Sequence, residues 1–305
     1  MLGLLLLFVL VGVVATVWQS RRSAFRGRDE LLRRLPVGGD GIITGAEPFE
    51  LRHGVGAPGV LLLHGGGDTP QTLRYLAEFL NARGYDVRAP LLPGHGRTLR
   101  EFATIDAGQL LAASRAAYRD LKADHRWVAI IGLSMGGALA VQLAAEDEDL
   151  AALVLLAPYL AMPARVAFAA RFARLWGLVV PYVRALDPSA RRSIQDQAEA
   201  ARSLAYGVFT PAALHALFQT VVQGAAALRH VKTPTLMVQS REDNRIPPDE
   251  AQRSFDRIGA TDKQLVWISG AGHVITVDYG REHVFELLGD WLERHRLTER
   301  RERRA

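Results

Sequence analysis

The sequence contains no cysteine. That absence excludes a disulfide framework, a zinc ribbon, a thiol nucleophile and a lipid-acylated cysteine. A basic body is missing too, although the 305 residues carry 37 Lys+Arg against 32 Asp+Glu, a formal net charge of +5. Six arginines fall in residues 21–34 and six more in residues 294–305, each stretch with two acids. The remainder holds 25 basic and 28 acidic residues. A nucleic-acid footprint needs a basic face on the fold, so no nucleic acid is expected as a partner. The glycine-rich stretches are not followed by G-K-[ST], which removes a phosphate cradle. His64, His95 and His273 lack the i,i+4 spacing and carboxylate company of a helical metal site. What is present is a 49% apolar composition. That is enough to bury the core of one large domain with an insertion.

Residues 2–18, LGLLLLFVLVGVVATVW, carry no charge. As a helix these 17 residues rise about 25 Å, slightly short of a ~30 Å hydrocarbon core. Trp18 suits an interface, and Arg21 and Arg22 can snorkel to it. Residues 1–20 are therefore expected to be a transmembrane anchor, the membrane being a partner through this helix, with residues 21–39 a basic linker. Because the arginines flank the apolar run on its C-terminal side, the body is placed in the cytoplasm. The alternative is a cleaved export signal, which wants a basic residue before the apolar run; none precedes it.

Beyond residue 40, short apolar runs alternate with helical patterns. Strands are expected at Val60–His64, Tyr85–Ala89, Trp127–Gly132, Ala152–Leu156, Thr235–Gln239 and Gln264–Ile268. Helices are expected from Thr69-Pro70 to about Arg83, at 106–123, 135–145 and 249–258, and last at 282–294. This alternation argues for a mostly parallel sheet wrapped by helices on both faces. Residues 159–230 hold helical patterns but no good strand, so they read as a helical insertion between core segments 40–158 and 231–295. Residues 296–305 read as a disordered basic tail.

The strongest motif is Gly132-Leu133-Ser134-Met135-Gly136-Gly137, which follows a strand and opens a helix. A nucleophile elbow needs this arrangement: a serine on a tight turn, with glycines where strand and helix backbones pass closely. The Met135 N–H, at the helix start, can face a developing oxyanion. A lone serine is a weak nucleophile and needs a base and an orienting acid. After the strand Thr235–Gln239 come Glu242 and Asp243; after Gln264–Ile268 comes His273. The order Ser, acid, His on loops at the C-terminal edge of the sheet suits this chemistry. Glu242 remains a rival acid. His64-Gly65-Gly66-Gly67 follows the first strong strand, where a second oxyanion donor is expected from Gly66 or, alternatively, Gly67. His64 and His95 read as loop supports.

The pieces LLLHGGG, APLLPGHG, GLSMGG, PTLMVQSREDNRIPP and SGAGHVITVD resemble, in order and spacing, the α/β-hydrolase superfamily. Within it they resemble the bacterial carboxylesterase and monoacylglycerol lipase group, and GHVITVD is the most specific piece. The resemblance implies an α/β-hydrolase fold, Ser134 as nucleophile, His273 as base, Asp243 as its orienter, and oxyanion donors at Gly66 and Met135. It implies no metal or organic cofactor, and a compact helical cap over residues 159–230. Leu160–Leu186 carries Phe168, Phe172, Trp176 and Tyr182 among four arginines and no acid. With Gly67, Phe168, Phe172 and Trp176 are the expected substrate-binding residues. The expected activity is hydrolysis of monoacylglycerols or short-to-medium acyl esters. Acyl transfer, thioester cleavage or peptide cleavage by the same triad is the alternative. A tethered interaction module would need a broken triad.

Overall fold

The computed structural model describes the backbone of residues 2–177, 183–184 and 193–302. The first helix, α1, runs unbroken from Leu2 to Arg34. The core then follows in the order β1 (Phe49–Leu51), β2 (Gly59–Leu63), α2 (Arg74–Ala82), β3 (Asp86–Ala89), α3 (Leu99–Phe102), α4 (Ala107–Asp124), β4 (Val128–Leu133), α5 (Met135–Glu146) and β5 (Ala152–Leu156). An insertion carries α6 (Ala164–Arg171), α7 (Ala173–Trp176), β6 (Val183–Arg184), α8 (Gln197–Arg202), β7 (Val208–Phe209) and α9 (Pro211–Ala227). The core closes with β8 (Thr235–Ser240), α10 (Pro248–Asp256), β9 (Lys263–Ile268) and α11 (Arg281–Glu302).

Seven strands form one sheet in the order β1-β3-β2-β4-β5-β8-β9. All neighbours are parallel except β1, which runs antiparallel along β3. The unbroken apolar runs follow from this topology, because a parallel sheet covered on both faces has no wet side. Successive side chains alternate between the faces. Val60 and Leu62 of β2 join Val154, Val238, Leu76 of α2 and Leu288 of α11 on one side. Leu61 and Leu63 join Ile130, Leu155, Leu110 of α4 and Leu139 of α5 on the other.

Several expectations change here. The edge strand β1 escapes sequence reading because it is three residues long, while the insertion holds a two-residue ladder, β6 with β7, where no strand is expected. The basic segment from residue 21 is helical to Arg34 and stops just before Pro36, whose ring disfavours helix in the residue before it. The core already begins at Leu35, which is 3% exposed and packs in the core with Ile43 and Ala46. A linker reaching residue 39 is therefore too long. At the other end α11 continues to Glu302, and Arg296 pairs with Glu293 at 2.8 Å, so the expected disordered tail is largely helix; residues 303–305 lie outside the described residues.

The expected transmembrane anchor finds no support. Among the described residues, no helix is long and apolar enough to cross a membrane. The physical reason is one of length: the uncharged run rises only about 25 Å before the helix becomes arginine-rich.

Candidate active site

Ser134 stands between the end of β4 and the start of α5 at φ 55°, ψ −116°. Few non-glycine residues adopt such a backbone, and it costs on the order of 1–3 kcal/mol. The surroundings hold it there. The Ser134 N–H donates to the Leu156 carbonyl at 3.0 Å, and its carbonyl accepts from Gly137 at 2.9 Å and Tyr159 at 3.0 Å. The flanking glycines are steric requirements. A Cβ on Gly132 would collide with the Gly136 carbonyl, and one on Gly136 with the Leu63 carbonyl.

The loops after β8 and β9 bring two more side chains to this turn. His273 Nε2 lies 2.8 Å from Ser134 Oγ. His273 Nδ1 lies 2.8 Å from Asp243 Oδ2. Asp243 Oδ1 accepts from the N–H groups of Arg245 at 2.7 Å and Ile246 at 3.0 Å. Burial opposes ionisation of this carboxyl, but the charge and hydrogen bond of His273, with those two backbone donors, outweigh it and hold it below the usual carboxylate range. A residue that sequence reading passed over completes the shell: Gln239 Nε2 donates to Asp243 Oδ2 at 2.8 Å. Its signal was a polar side chain at the end of an otherwise apolar buried strand. Glu242, the rival acid, turns elsewhere, accepting from Gly270 N–H at 3.1 Å and Ser240 Oγ at 3.3 Å.

The glycine loop after β2 lies over the same turn. A Cβ on Gly65 would sit 3.4 Å from Ser134 Cβ, and one on Gly66 would sit 3.3 Å from Met135 Sδ and 3.6 Å from Leu217 of α9. Gly66 and Met135 are therefore neighbours. Gly67 turns away: its φ is +70° and a Cβ there would meet the Phe209 ring at 3.4 Å. Its carbonyl accepts from Tyr206 N–H at 3.0 Å. Two of the expected aromatic residues are more open than a pocket lining requires. Phe168 is 70% and Phe172 39% exposed, while Ala170 and Ala173 are buried. The buried side chains here are thus alanines, one from α6 and one from α7. Trp176 donates its indole N–H to the Ala169 carbonyl at 2.8 Å. Tyr182 lies outside the described residues.

Behind the loop sit two fully buried histidines. His64 Nδ1–H donates to the Gly65 carbonyl at 2.9 Å, and its Nε2 accepts from Leu92 N–H at 3.1 Å. Its edge meets the His95 ring at a centroid distance of 5.1 Å. Burial, with the charge of His95, pushes His64 down to about 3, against the Gly65 hydrogen bond. Burial likewise pushes His95 down to about 4. Asp68, 7% exposed, accepts from Thr72 Oγ1 at 2.8 Å and is pushed up by burial to about 6.

These shifts give a stability slope. Both imidazoles bind a proton in the unfolded chain near 6.5 but resist it when folded, so stability is full above that pH and falls below it. Each contributes up to about 1.4 kcal/mol of loss per pH unit between 6.5 and 4. Asp68 acts oppositely, since between about 6 and 3.8 the folded state holds a proton that the unfolded state has released. The net loss is therefore about one histidine's worth. Melting temperature should fall steadily from pH 6.5 to 4, and Asp68→Asn should make the fall steeper. A flat profile over that range would refute the account.

A mostly parallel sheet wrapped by helices, with a serine on a strained strand–helix turn and a carboxylate and histidine on the loops after the last two strands, defines an α/β-hydrolase. Comparison with known proteins narrows this. The chain belongs to the family described as serine aminopeptidase S33, whose profile matches residues 58–279. It is 31% identical to a thermostable monoacylglycerol lipase of Bacillus sp. (strain H-257) over 83% of this chain and 97% of that protein. It is 28% identical to a carboxylesterase of Bacillus subtilis (strain 168) over 81% of this chain and 96% of that protein. A solved structure from work on the metagenome-derived lipolytic enzymes LipS and LipT superposes with a TM-score of 0.75 at 31% identity, covering 83% of this chain and all of that one. The chain is an esterase-type hydrolase.

Proposed function

We propose that the chain hydrolyses carboxylic esters of the monoacylglycerol or short-to-medium acyl type through an acyl-enzyme on Ser134. The observation that carries this reading is the unbroken hydrogen-bonded line from Asp243 through His273 to Ser134, with 2.8 Å at each step. Ser134 Oγ attacks the ester carbonyl while His273 Nε2 takes its proton. Asp243 keeps the proton on Nδ1, so that Nε2 is the acceptor. The N–H groups of Gly66 and Met135 receive the oxyanion. His273 then protonates the departing alcohol. A water molecule, deprotonated by the same nitrogen, attacks the acyl carbonyl and frees Ser134 and the acid.

Met135 and Leu217 border Gly66 and supply an apolar wall for an acyl chain. In this reading residues 159–230 are the cap. Phe168, with 70% of its surface exposed, does not line a closed pocket, so any contact it makes with substrate comes from the outer side. A series of p-nitrophenyl esters from two to sixteen carbons, run beside a monoacylglycerol, tests the proposal. Turnover with an optimum at short or medium length is expected, together with release of glycerol. Release of p-nitroaniline from an aminoacyl anilide without any ester turnover would overturn it in favour of a peptidase.

A further inference from the structure

The GHVITVD segment contains a buried carboxyl group that the mechanism above does not use. Asp278 is 1% exposed, and its carboxylate gathers backbone donors from three places in the chain. Oδ2 accepts from Gly272 N–H at 2.6 Å and from Gln195 N–H at 2.8 Å. Oδ1 accepts from Asp196 N–H at 2.9 Å and from Tyr279 N–H at 2.9 Å. Four donors occupy the acceptor sites of an ionised carboxylate. Gly272 directly precedes His273, whereas Gln195 and Asp196 belong to the insertion and lead into α8, whose first turn Asp196 caps through Ala198 N–H at 2.9 Å.

The segment 193–196 reaches the other side of the histidine as well. Val274 N–H donates to the Ser193 carbonyl at 2.9 Å. Ser193 Oγ also lies 3.1 Å from Arg245 Nε and 3.2 Å from Asn244 Oδ1, on the loop that carries Asp243. The residues before and after His273 are thus both tied to one short stretch of the insertion.

We propose that Asp278 is a positioning residue that couples this stretch of the insertion to the seat of His273. The inference rests on the function proposed above, in which His273 is the base. The physical reason is the cost of a buried charge. If segment 193–196 moves away, the carboxylate loses two of its four donors while remaining in the interior, where an underbonded anion is strongly unfavourable. The cheaper motion carries Gly272, and with it His273, along with the insertion. The position of the insertion then sets how well Nε2 meets Ser134 Oγ, and small errors there are expensive in rate.

Asp278→Asn tests this in the full chain. The amide keeps the shape but turns an NH2 group toward two N–H donors, so one side of the junction opens. The measurements are kcat and KM on p-nitrophenyl butyrate, the rate at which a fluorophosphonate labels Ser134, and the melting temperature. The expected result is a fall of about 10- to 100-fold in kcat, with the labelling rate falling in step and KM within about threefold of wild type. A purely structural role would lower the melting temperature and leave both rates unchanged in the folded protein, and that result overturns the proposal. Should Asp278→Asn not fold, Gln195→Pro deletes one donor from the insertion side and leaves the three side chains of the line untouched. A fall in kcat and labelling supports the coupling, and rates within twofold of wild type overturn it. A wild-type chain that is neither labelled nor active overturns the proposed function itself, and the inference with it.

Discussion

Ser134→Ala is expected to lower kcat on the preferred p-nitrophenyl ester by about 10⁴- to 10⁶-fold, with little change in melting temperature. The size of the loss follows from the geometry. The hydroxyl is the only group removed, and its oxygen is the one 2.8 Å from His273 Nε2. What remains is the oxyanion pair and the binding surface, which alone give modest acceleration over water. Stability should hold because alanine suffers the same positive φ as serine. Ser134→Gly separates the two effects. Glycine removes the strain at φ 55° and should stabilise the fold by about 1 kcal/mol while activity stays as low as in the alanine variant. Residual turnover above a few per cent in either variant would mean that another group is the nucleophile.

Asp243→Asn is expected to lower kcat by about 10⁴-fold, whereas Glu242→Gln should stay within about threefold of wild type. Asp243 fixes the tautomer of His273 by accepting its Nδ1 proton at 2.8 Å. An asparagine there can present its NH2 to Nδ1, moving the ring proton to Nε2 and leaving Ser134 without a base. Glu242 is bonded to Gly270 and Ser240 and does not touch the imidazole. Steady-state rates of the two purified variants decide the matter, and the reverse ranking would assign the orienting role to Glu242.

Much of the site is legible in the chain because its chemistry needs fixed local patterns. A serine at a positive-φ strand–helix turn demands glycines two residues before and after it, and Gly132 and Gly136 announce that turn. The acid and histidine sit just past the last two apolar strands, since loops at those strand ends reach the turn. Other features carry no such local mark. Between Glu242 and Asp243 only the family resemblance of the surrounding piece points to Asp243; physically the choice depends on which side chain the loop after β8 turns inward. Gln239 reads as any polar residue at a strand end, and it becomes part of the site only because the following loop folds Asp243 back over it.

The N-terminal region shows the opposite failure. Uncharged residues 2–18 invite a membrane reading, yet the helix they begin runs on through the arginines to Arg34, and the chain then enters the core at Leu35. Periodicity and charge set the helix, but only packing decided where the domain starts.

The primary structure by itself determined most core elements, the mostly parallel sheet and the identities of the turn and its partners, because each depends on hydrophobic period, on residues within a few positions or on a family pattern. Tertiary structure alone decided that Gln239 backs the carboxylate facing His273, which faces of the insertion turn inward, and that Asp278 joins residues 195–196 to Gly272. These contacts bridge long sequence separations. A buried carboxylate records no partner in its neighbours along the chain, and its donors become visible only when the loops are brought together.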